Sequence, residues 1–161
     1  MAFKPHPNGG GLVEDTAYVA ETAYVGKYAV VRDKARVLDN ASIDGFAIVY
    51  DNALVIENAI VSSSAKVYEN SHISGSAEVC GCAHIYGDAH LCDKVKVHGR
   101  AKVYGDAVID DCVTITDTAH VFGQVYISDT AVICGNAQVS GNSIIGANAI
   151  IDRVVLGGNH H

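Results

Sequence analysis

AKVYGDAVIDDC, residues 101–112, contains two copies of a six-residue unit. In a β-segment, alternate side chains point to opposite sides, so Ala101 and Val103 point inward while Lys102 and Tyr104 point outward. The next two residues, Gly105 and Asp106, suit a tight corner because Gly and Asp tolerate the left-handed backbone region. Each unit therefore predicts one flat side filled by a branched aliphatic residue and one corner filled by a small residue.

The same unit continues on both sides of this segment without a change of phase. Every sixth residue from Val13 to Ile151 is Val, Ile or Leu, and the residue four places after each one, from Ala17 to Val155, is Ala, Ser or Val. A helix has 3.6 residues per turn, so a period of six would spread these apolar residues around its whole surface. The repeat therefore predicts a β-solenoid in which flat sides alternate with corners.

Length and composition fit a single slender domain. The chain has 161 residues, of which 49% are apolar, with no Trp and three Phe. This composition suits a thin interior of small side chains rather than a core of large aromatic residues. We expect an N-terminal cap segment over residues 1–10, the solenoid over 11–156 and a tail over 157–161, whose final Asn-His-His is typical of a purification-tag remnant.

Charge and cysteine content limit the partners and the compartment that we expect. The net charge is −7 with His neutral and the acids are scattered, so neither nucleic acid nor an anionic membrane is an expected partner. The sequence has no leader signature and no apolar run near the ~20 residues that a membrane span needs. Five cysteines cannot all pair, which favours reduced thiols. These features predict a cytoplasmic protein.

The units resemble the hexapeptide repeat of the left-handed parallel β-helix family, in which an aliphatic residue is followed four places later by a small one. The resemblance covers roughly Gly11 to Val155. It implies an all-β fold: a single-stranded, left-handed parallel β-helix with triangular 18-residue coils, about eight coils and no helical domain. The left-handed sense comes from the resemblance alone, because ordinary crossover connections are right-handed.

With 18 residues per coil, residues 18 apart lie above one another and outward residues form columns. One column is aromatic over five successive coils: Tyr50, Tyr68, Tyr86, Tyr104 and Phe122. The neighbouring column of the same face contains Lys66, His84, Lys102 and His120. The rings either only stabilise the stack by ring contacts or form a binding strip for another subunit, a ring-bearing ligand or an anion. The predicted binding residues are the five aromatic residues with Lys66 and Lys102.

Two other columns raise the question of metal binding. His72 lies one coil below His90, and a corner column contains acids at the six positions Glu21, Asp39, Glu57, Asp93, Asp111 and Asp129. Zn²⁺ or Ca²⁺ would use such ligands, but two exposed histidines lack a third ligand, and solvated corner acids are ordinary. We predict no metal site. No two cysteines are 18 apart, so none are stacked.

The resemblance also raises an enzymatic hypothesis. Many members of the family are trimeric acyltransferases that use acetyl- or acyl-CoA, with a His as general base at a site between subunits. His84 and His120 are the candidate catalytic residues here. Two departures count against catalysis: the repeat has no excursion loop to build a pocket, and the closely spaced zinc-binding His pair of the γ-class carbonic anhydrases, which resemble this fold, is absent.

We therefore favour a non-enzymatic β-solenoid without a cofactor, acting as a structural scaffold or as a protein- or ligand-binding module. Such a module would be phage-like or polymer-forming, and we expect a homo-oligomer, either a trimer or an end-to-end dimer. The alternative is an acyltransferase using acetyl-CoA or acyl-CoA at a subunit interface. Ice binding is disfavoured because Thr-x-Thr, at Thr114–Thr116, occurs once and forms no array.

Overall fold

The computed structural model describes residues 1–157, 159 and 160, and these residues form short strands and corners with no helix. The strands, in chain order, are β1 Phe3–Pro5, β2 Leu12–Glu14, β3 Tyr18–Val19, β4 Tyr24–Val25, β5 Val30–Val31, β6 Arg36–Val37, β7 Ser42–Ile43, β8 Ile48–Val49, β9 Leu54–Val55, β10 Ile60–Val61, β11 Lys66–Val67, β12 His72–Ile73, β13 Glu78–Val79, β14 His84–Ile85, β15 His90–Leu91, β16 Lys96–Val97, β17 Lys102–Val103, β18 Val108–Ile109, β19 Thr114–Ile115, β20 His120–Val121, β21 Tyr126–Ile127, β22 Val132–Ile133, β23 Gln138–Ser140, β24 Ile144–Ile145, β25 Ile150–Ile151, β26 Val154–Leu156 and β27 Asn159–His160.

Every third strand belongs to the same sheet, so the chain winds around three faces. Sheet A has the order β1-β2-β5-β8-β11-β14-β17-β20-β23-β26, sheet B runs from β3 to β27, and sheet C runs from β4 to β25. From β2 to β25, neighbouring strands within a sheet are parallel and residue pairs are 18 apart, such as Lys66 with His84. The prediction of a parallel β-solenoid with three faces, 18-residue coils and about eight coils is confirmed.

The aliphatic repeat fills the interior. Every inward Val, Ile or Leu from Val25 to Ile145 has no exposed surface, and most corner alanines are equally buried. Burying each branched side chain is worth about 1.5–3 kcal/mol as an upper estimate, and this gain opposes the backbone entropy lost on folding. Stability therefore accumulates over stacked coils, because a single coil has no second layer to bury its strands.

The corners use the backbone conformation that the composition predicts. Among residues 1–157, 159 and 160, eleven residues other than Gly have positive φ. They include Asp51 at +58° on the corner between sheets A and B (the A/B corner) and Glu57 at +62° on the B/C corner. Ser63, at +59°, lies on the C/A corner. Seven of these eleven residues are Asp, which enters this region more readily than branched residues do.

The N-terminal segment covers part of the first coil. β1 pairs antiparallel with β2, which covers the outer edge of sheet A. The Val25 N–H donates to the Asn8 carbonyl at 3.0 Å, and the Asn8 side-chain amide donates to the Ala23 carbonyl at 3.0 Å. Gly9 permits this approach, because its φ is +111° and a Cβ there would lie 2.3 Å from the Val25 carbonyl oxygen.

The last coil departs from the predicted phase. Val155 was expected to be a small corner residue, four places after Ile151, but it pairs with Val139 as the inward residue of β26. That coil is therefore 16 residues long from Val139 to Val155, two fewer than each coil before it. Its C/A corner lacks a vertex residue, and the branched Val155 side chain is buried instead on the flat side. The predicted tail includes Gly158 and His161, which lie outside the described residues.

Candidate functional site

The aromatic column of sheet A forms one continuous ring stack. The ring centroids of successive members from Tyr50 to Phe122 lie 4.7–4.9 Å apart, and the rings are within 7° of parallel. Strands in a sheet are separated by about 4.8 Å, so identical outward positions on successive coils hold rings at stacking distance. The predicted stacking is confirmed. We call Tyr50, Tyr68, Tyr86, Tyr104 and Phe122 the aromatic ladder.

A cation covers the first ring of the ladder. The Arg32 guanidinium carbon lies 4.5 Å from the centroid of the Tyr50 ring, and Arg32 is also paired with Asp33 at 3.3 Å. A guanidinium over an aromatic face is attracted by the negative face of the ring. The position after Phe122 is Ser140, which is buried and ends the ladder.

The second predicted column of sheet A lies beside the ladder, in the register that the repeat implies. Lys66 pairs with His84, His84 with Lys102, and Lys102 with His120. The Tyr68 hydroxyl lies 3.4 Å from His84 Nδ1, and the two rings meet edge to face. The structure thus brings every predicted binding and catalytic residue to one face.

The ionisation of these groups is set by partial burial and by their neighbours. Burial raises the pKa of each tyrosine of the ladder, and neighbouring tyrosines help raise that of Tyr68 to about 12. Burial and then Lys66 and Lys102 lower the pKa of His84, and burial and then Lys102 lower that of His120. At neutral pH the strip therefore presents protonated hydroxyls, neutral imidazoles and lysine cations.

Acidic corner residues accept hydrogen bonds from backbone N–H groups of the next coil. The Glu57 N–H donates to the Asp39 carboxylate at 3.1 Å, and the Ala147 N–H donates to the Asp129 carboxylate at 2.7 Å. In each case the carboxylate satisfies the corner N–H one coil further along, which the sheet ladders leave without a carbonyl partner. Backbone satisfaction therefore explains corner acids such as Asp39 and Asp129, and the period of the sequence predicts their column but not these bonds.

One acidic group is more compact than the others. Oxygen atoms of Asp93, Asp110 and Asp111 lie within 4.8 Å of one another. Asp110 accepts hydrogen bonds from the Asp111 N–H at 2.7 Å and from Cys92 Sγ at 3.2 Å. The Asp111 N–H bond is the main cause that lowers the pKa of Asp110, whereas the hydrogen bond to Asp110 raises the pKa of Asp93. The carboxylate of Asp110 is thus already hydrogen-bonded to donors of this chain, the Asp111 N–H and the Cys92 thiol.

The two histidines of sheet B lie one above the other, with their rings tilted by 60°. The rings of His72 and His90 have centroids 5.1 Å apart, and His72 Nε2 is buried without a hydrogen-bond partner in the part of the chain that the structure describes. Burial and then His90 lower the pKa of His72, so its ring is neutral at pH 7. All five cysteines are free thiols, and burial followed by the Asp110 hydrogen bond raises the pKa of Cys92 to about 12.

A second aromatic feature, on the C/A corner, was not predicted. Tyr28 and Phe46 are 60% and 65% exposed, and their rings stack with centroids 5.3 Å apart. Lys27 Nζ lies 5.4 Å from the Tyr28 centroid. The signal in the sequence is an aromatic residue at two corner positions 18 apart, where most coils have polar or small residues. Exposed large rings at a corner are typical of contact surfaces.

The part of the chain that the structure describes contains no helix that could span a membrane.

Comparison with known proteins adds few constraints. The chain matches no protein-family model and no curated protein. Among solved structures it is similar to LpxA from Acinetobacter baumannii, with a TM-score of 0.38 and 11% identity over 86% of this chain and 66% of that chain. It is also similar to the UDP-N-acetylglucosamine O-acyltransferase (LpxA) from Moraxella catarrhalis, with a TM-score of 0.39 and 16% identity over 91% of this chain and 66% of that chain. The chain thus spans just under two thirds of the length of either neighbour, and likenesses at these TM-scores carry no argument about activity.

Proposed function

We propose that this chain is a non-enzymatic β-solenoid scaffold that uses sheet A as a contact surface for another protein. The observation that supports this most directly is the aromatic ladder, five rings fixed at 4.7–4.9 Å on an outward face beside a column of cations and imidazoles. Each ring is only half-buried, so its edge is open to a partner.

The ladder is suited to protein contact for two physical reasons. Stacking already holds the rings in place, so binding a partner orders few additional side chains. The ring edges and protonated hydroxyls of Tyr68, Tyr86 and Tyr104 also combine apolar area with hydrogen-bonding groups. Lys66 and Lys102 beside them favour a partner that carries acidic groups.

The side chains of His84 and His120 are half-buried on the outward side of sheet A. A groove of about 440 Å³ lies along the A/B corner and is lined from Asp33 to Asp88 by acidic, amide, Lys34 and Gly87 residues. Neither His84 nor His120 lines that groove. Small-molecule sites usually enclose most of the ligand, so an outward column of a sheet that lies apart from this groove suits a protein partner better.

A second candidate function is acyl transfer from acetyl-CoA or acyl-CoA between subunits. It is favoured by the lowered pKa of His84, which burial and the flanking Lys66 and Lys102 cause, because a neutral imidazole can act as a general base. His84 or His120 would take the proton of an acceptor hydroxyl or amine as that oxygen or nitrogen attacks the thioester carbonyl. The C–S bond would then break, and the imidazolium would return the proton to the departing sulfur, so that CoA leaves as the thiol.

The contact proposal is tested by the double variant Tyr86→Glu and Tyr104→Glu. We expect it to lower the mass of the assembly, or to abolish binding of a protein partner, because two carboxylates cannot be buried there without a counter-charge. A matched control is Thr114→Glu with Val132→Glu, which adds the same charge to the outward column of sheet C. If the sheet A variant folds and keeps the association and partner binding of the wild type, sheet A is not a contact surface.

The acyltransferase candidate has a separate test. Acetyl-CoA should raise the melting temperature, and release of free CoA in the presence of amine or hydroxyl acceptors should fall in His84→Ala or His120→Ala. Because the contact variants leave both histidines in place, the two functions can be distinguished. Transfer that is unchanged in both histidine variants would exclude them as the general base.

A further inference from the structure

We infer that sheet B carries a site for a zinc ion, with His72, His90 and Cys92 as its protein ligands. His72 belongs to β12, whereas His90 belongs to β15, one coil further along, and Cys92 follows that strand directly. An ion held there would join two successive coils. The site is on a different face from the aromatic ladder, so it is independent of the contact role proposed for sheet A.

The first observation is an unpaired polar atom. The Nε2 atom of His72 is buried and has no hydrogen-bond partner among the residues that the structure describes. Buried polar atoms in proteins are nearly always paired, and an unpaired one is explained by strain, by a chemical role or by a bound water or ion. When the ring proton is on Nδ1, Nε2 presents an unused lone pair, which is the group that a metal ion binds.

The second observation is the position of the neighbouring imidazole. The ring centroids of His72 and His90 lie 5.1 Å apart. Zn²⁺ binds imidazole nitrogens at about 2.0–2.1 Å in a tetrahedral arrangement, which places the centroids of two ligating rings roughly 5 Å apart. The side chain of His90 is exposed, so its ring can turn a nitrogen towards the shared ion without displacing packed side chains.

Cys92 supplies the third ligand that the histidine pair lacks by itself. His90 and Cys92 flank the inward Leu91, so both side chains leave the same outward side of the chain, about 6.6 Å apart along it. His72 is the register partner of His90 on the adjacent strand. One ligand thus lies beside the exposed imidazole and one lies a coil below it. The Cys92 thiol donates to Asp110 at 3.2 Å, so coordination requires it to rotate towards the histidines and to lose its proton.

The surroundings favour a cation and limit the access of water. Leu54 is the register partner of His72 on one side of the pair, and Val108 is that of His90 on the other. Apolar neighbours around a metal site restrict solvent and strengthen the electrostatic attraction between ion and ligands. The Asp110 carboxylate, 3.2 Å from the thiol, adds a negative charge that attracts cations to this part of sheet B.

Two other outward histidines lack such surroundings. His84 lies between Lys66 and Lys102 in its column, and these cations repel a metal ion. His98 Nδ1 already lies 3.0 Å from Thr116 Oγ1, within hydrogen-bonding distance. Neither of these histidines has a second imidazole one coil away.

The donor set selects the ion. Two imidazoles and one thiolate suit Zn²⁺, whereas Ca²⁺ and Mg²⁺ require oxygen ligands. Three protein ligands leave the fourth tetrahedral position to water. The unfolded chain does not hold the three ligands together, so bound zinc should stabilise the folded solenoid.

Cobalt substitution tests the ligands directly. All chains carry His160→Ala and His161→Ala, which removes the two adjacent terminal histidines as a competing site. Titration with Co²⁺ should give the visible bands of a tetrahedral ion and a thiolate-to-cobalt charge-transfer band in the near ultraviolet, and Zn²⁺ should displace both. Cys92→Ser should remove the charge-transfer band. The matched control is Cys80→Ser, because Cys80 is also a half-buried outward thiol, and this variant should keep the spectrum of the wild type.

Melting temperatures separate a metal role of His72 from a packing role. His72→Phe replaces the imidazole by an apolar ring and removes the unpaired nitrogen. With a chelator present, this variant should melt at the temperature of the wild type or higher, because no buried polar atom is then left unpaired. Zn²⁺ should raise the melting temperature of the wild type but not that of His72→Phe or His90→Ala. Each substitution should weaken zinc binding by about 100-fold or more, since loss of even an outer-shell partner typically weakens it about 10–100-fold.

Three results would overturn this site. A wild type that gives no cobalt bands and whose melting temperature zinc leaves unchanged does not hold the ion. Cobalt bands without charge transfer, or charge transfer that survives Cys92→Ser, exclude Cys92 as a ligand. Zinc stabilisation that survives in folded His72→Phe excludes the imidazole pair. None of these results bears on sheet A, whose contact role is tested by Tyr86→Glu with Tyr104→Glu.

Discussion

Truncating one ring in the middle of the aromatic ladder should destabilise the solenoid by a predictable amount. Tyr86 stacks on Tyr68 at 4.9 Å and on Tyr104 at 4.7 Å, so Tyr86→Ala removes two ring pairs. Each aligned pair contributes about 0.5–1.5 kcal/mol beyond area burial, which gives about 1–3 kcal/mol for the two contacts. Tyr86→Phe keeps both stacks and should change the free energy of unfolding by less than about 0.5 kcal/mol.

The measurement is urea unfolding followed by far-ultraviolet circular dichroism, and the control separates stacking from strand preference. Tyr126 is an outward tyrosine of sheet B whose register partners are Val108 and Ile144, so Tyr126→Ala loses a strand tyrosine without losing a ring stack. Tyr86→Ala should lower the free energy of unfolding by more than Tyr126→Ala does, and the difference should equal the stacking energy. Equal losses in the two variants would refute the claim that the ladder stabilises the stack.

Three further predictions concern groups whose environment the structure defines. Tyrosinate absorbance should show Tyr68 ionising near pH 12 rather than 10. Because the pKa of Tyr68 is higher in the folded than in the unfolded state, its contribution to stability is complete below pH 10 and disappears as pH rises to about 12. Ionisation of every tyrosine of the folded protein at pH 10 would contradict this. Burial and the hydrogen bond to Asp110 raise the pKa of Cys92 to about 12. At pH 8, peptide mapping should therefore show that Cys92 reacts with a disulfide reagent far more slowly than the exposed Cys82 does. Equal rates would be inconsistent with that environment. Asp129→Ala removes the acceptor of the Ala147 N–H and should lower the free energy of unfolding by about 0.5–1.5 kcal/mol, because water can reach this exposed donor. Asp129→Asn retains an acceptor and should lower it by less; similar losses in the two variants would argue against the bond.

Much of the candidate site follows from the six-residue period. Once three units make a coil, Tyr50 and Tyr68 must lie one above the other, and the strand spacing sets their separation. The structure has that geometry, with ring centroids 4.8 Å apart. The alternation of Lys66, His84 and Lys102 in the adjoining column follows in the same way. Whether these side chains serve a partner is not encoded in the period, so their function stays a proposal.

Corner residues were harder to interpret from sequence. A corner side chain is free of the in-and-out alternation that fixes a strand residue, so its direction depends on local backbone angles. For this reason the stacked pair of Tyr28 and Phe46 went unnoticed, and the carboxylate of Asp39 was not assigned to the Glu57 N–H. The short final corner before Val155 was also missed, because its residues keep the aliphatic and small pattern while the chain path changes.

The sequence by itself determined the period, the three faces and the stacking of equivalent residues, because strand alternation and corner chemistry act within six residues and repeat without interruption. Only the tertiary structure decided which groups ionise at neutral pH, which corner acids satisfy a backbone N–H, and how the apolar and charged surfaces are distributed around the rod. Those properties depend on the distances between coils and on the solvent exposure of each side chain, and neither quantity is contained in the linear spacing of residues.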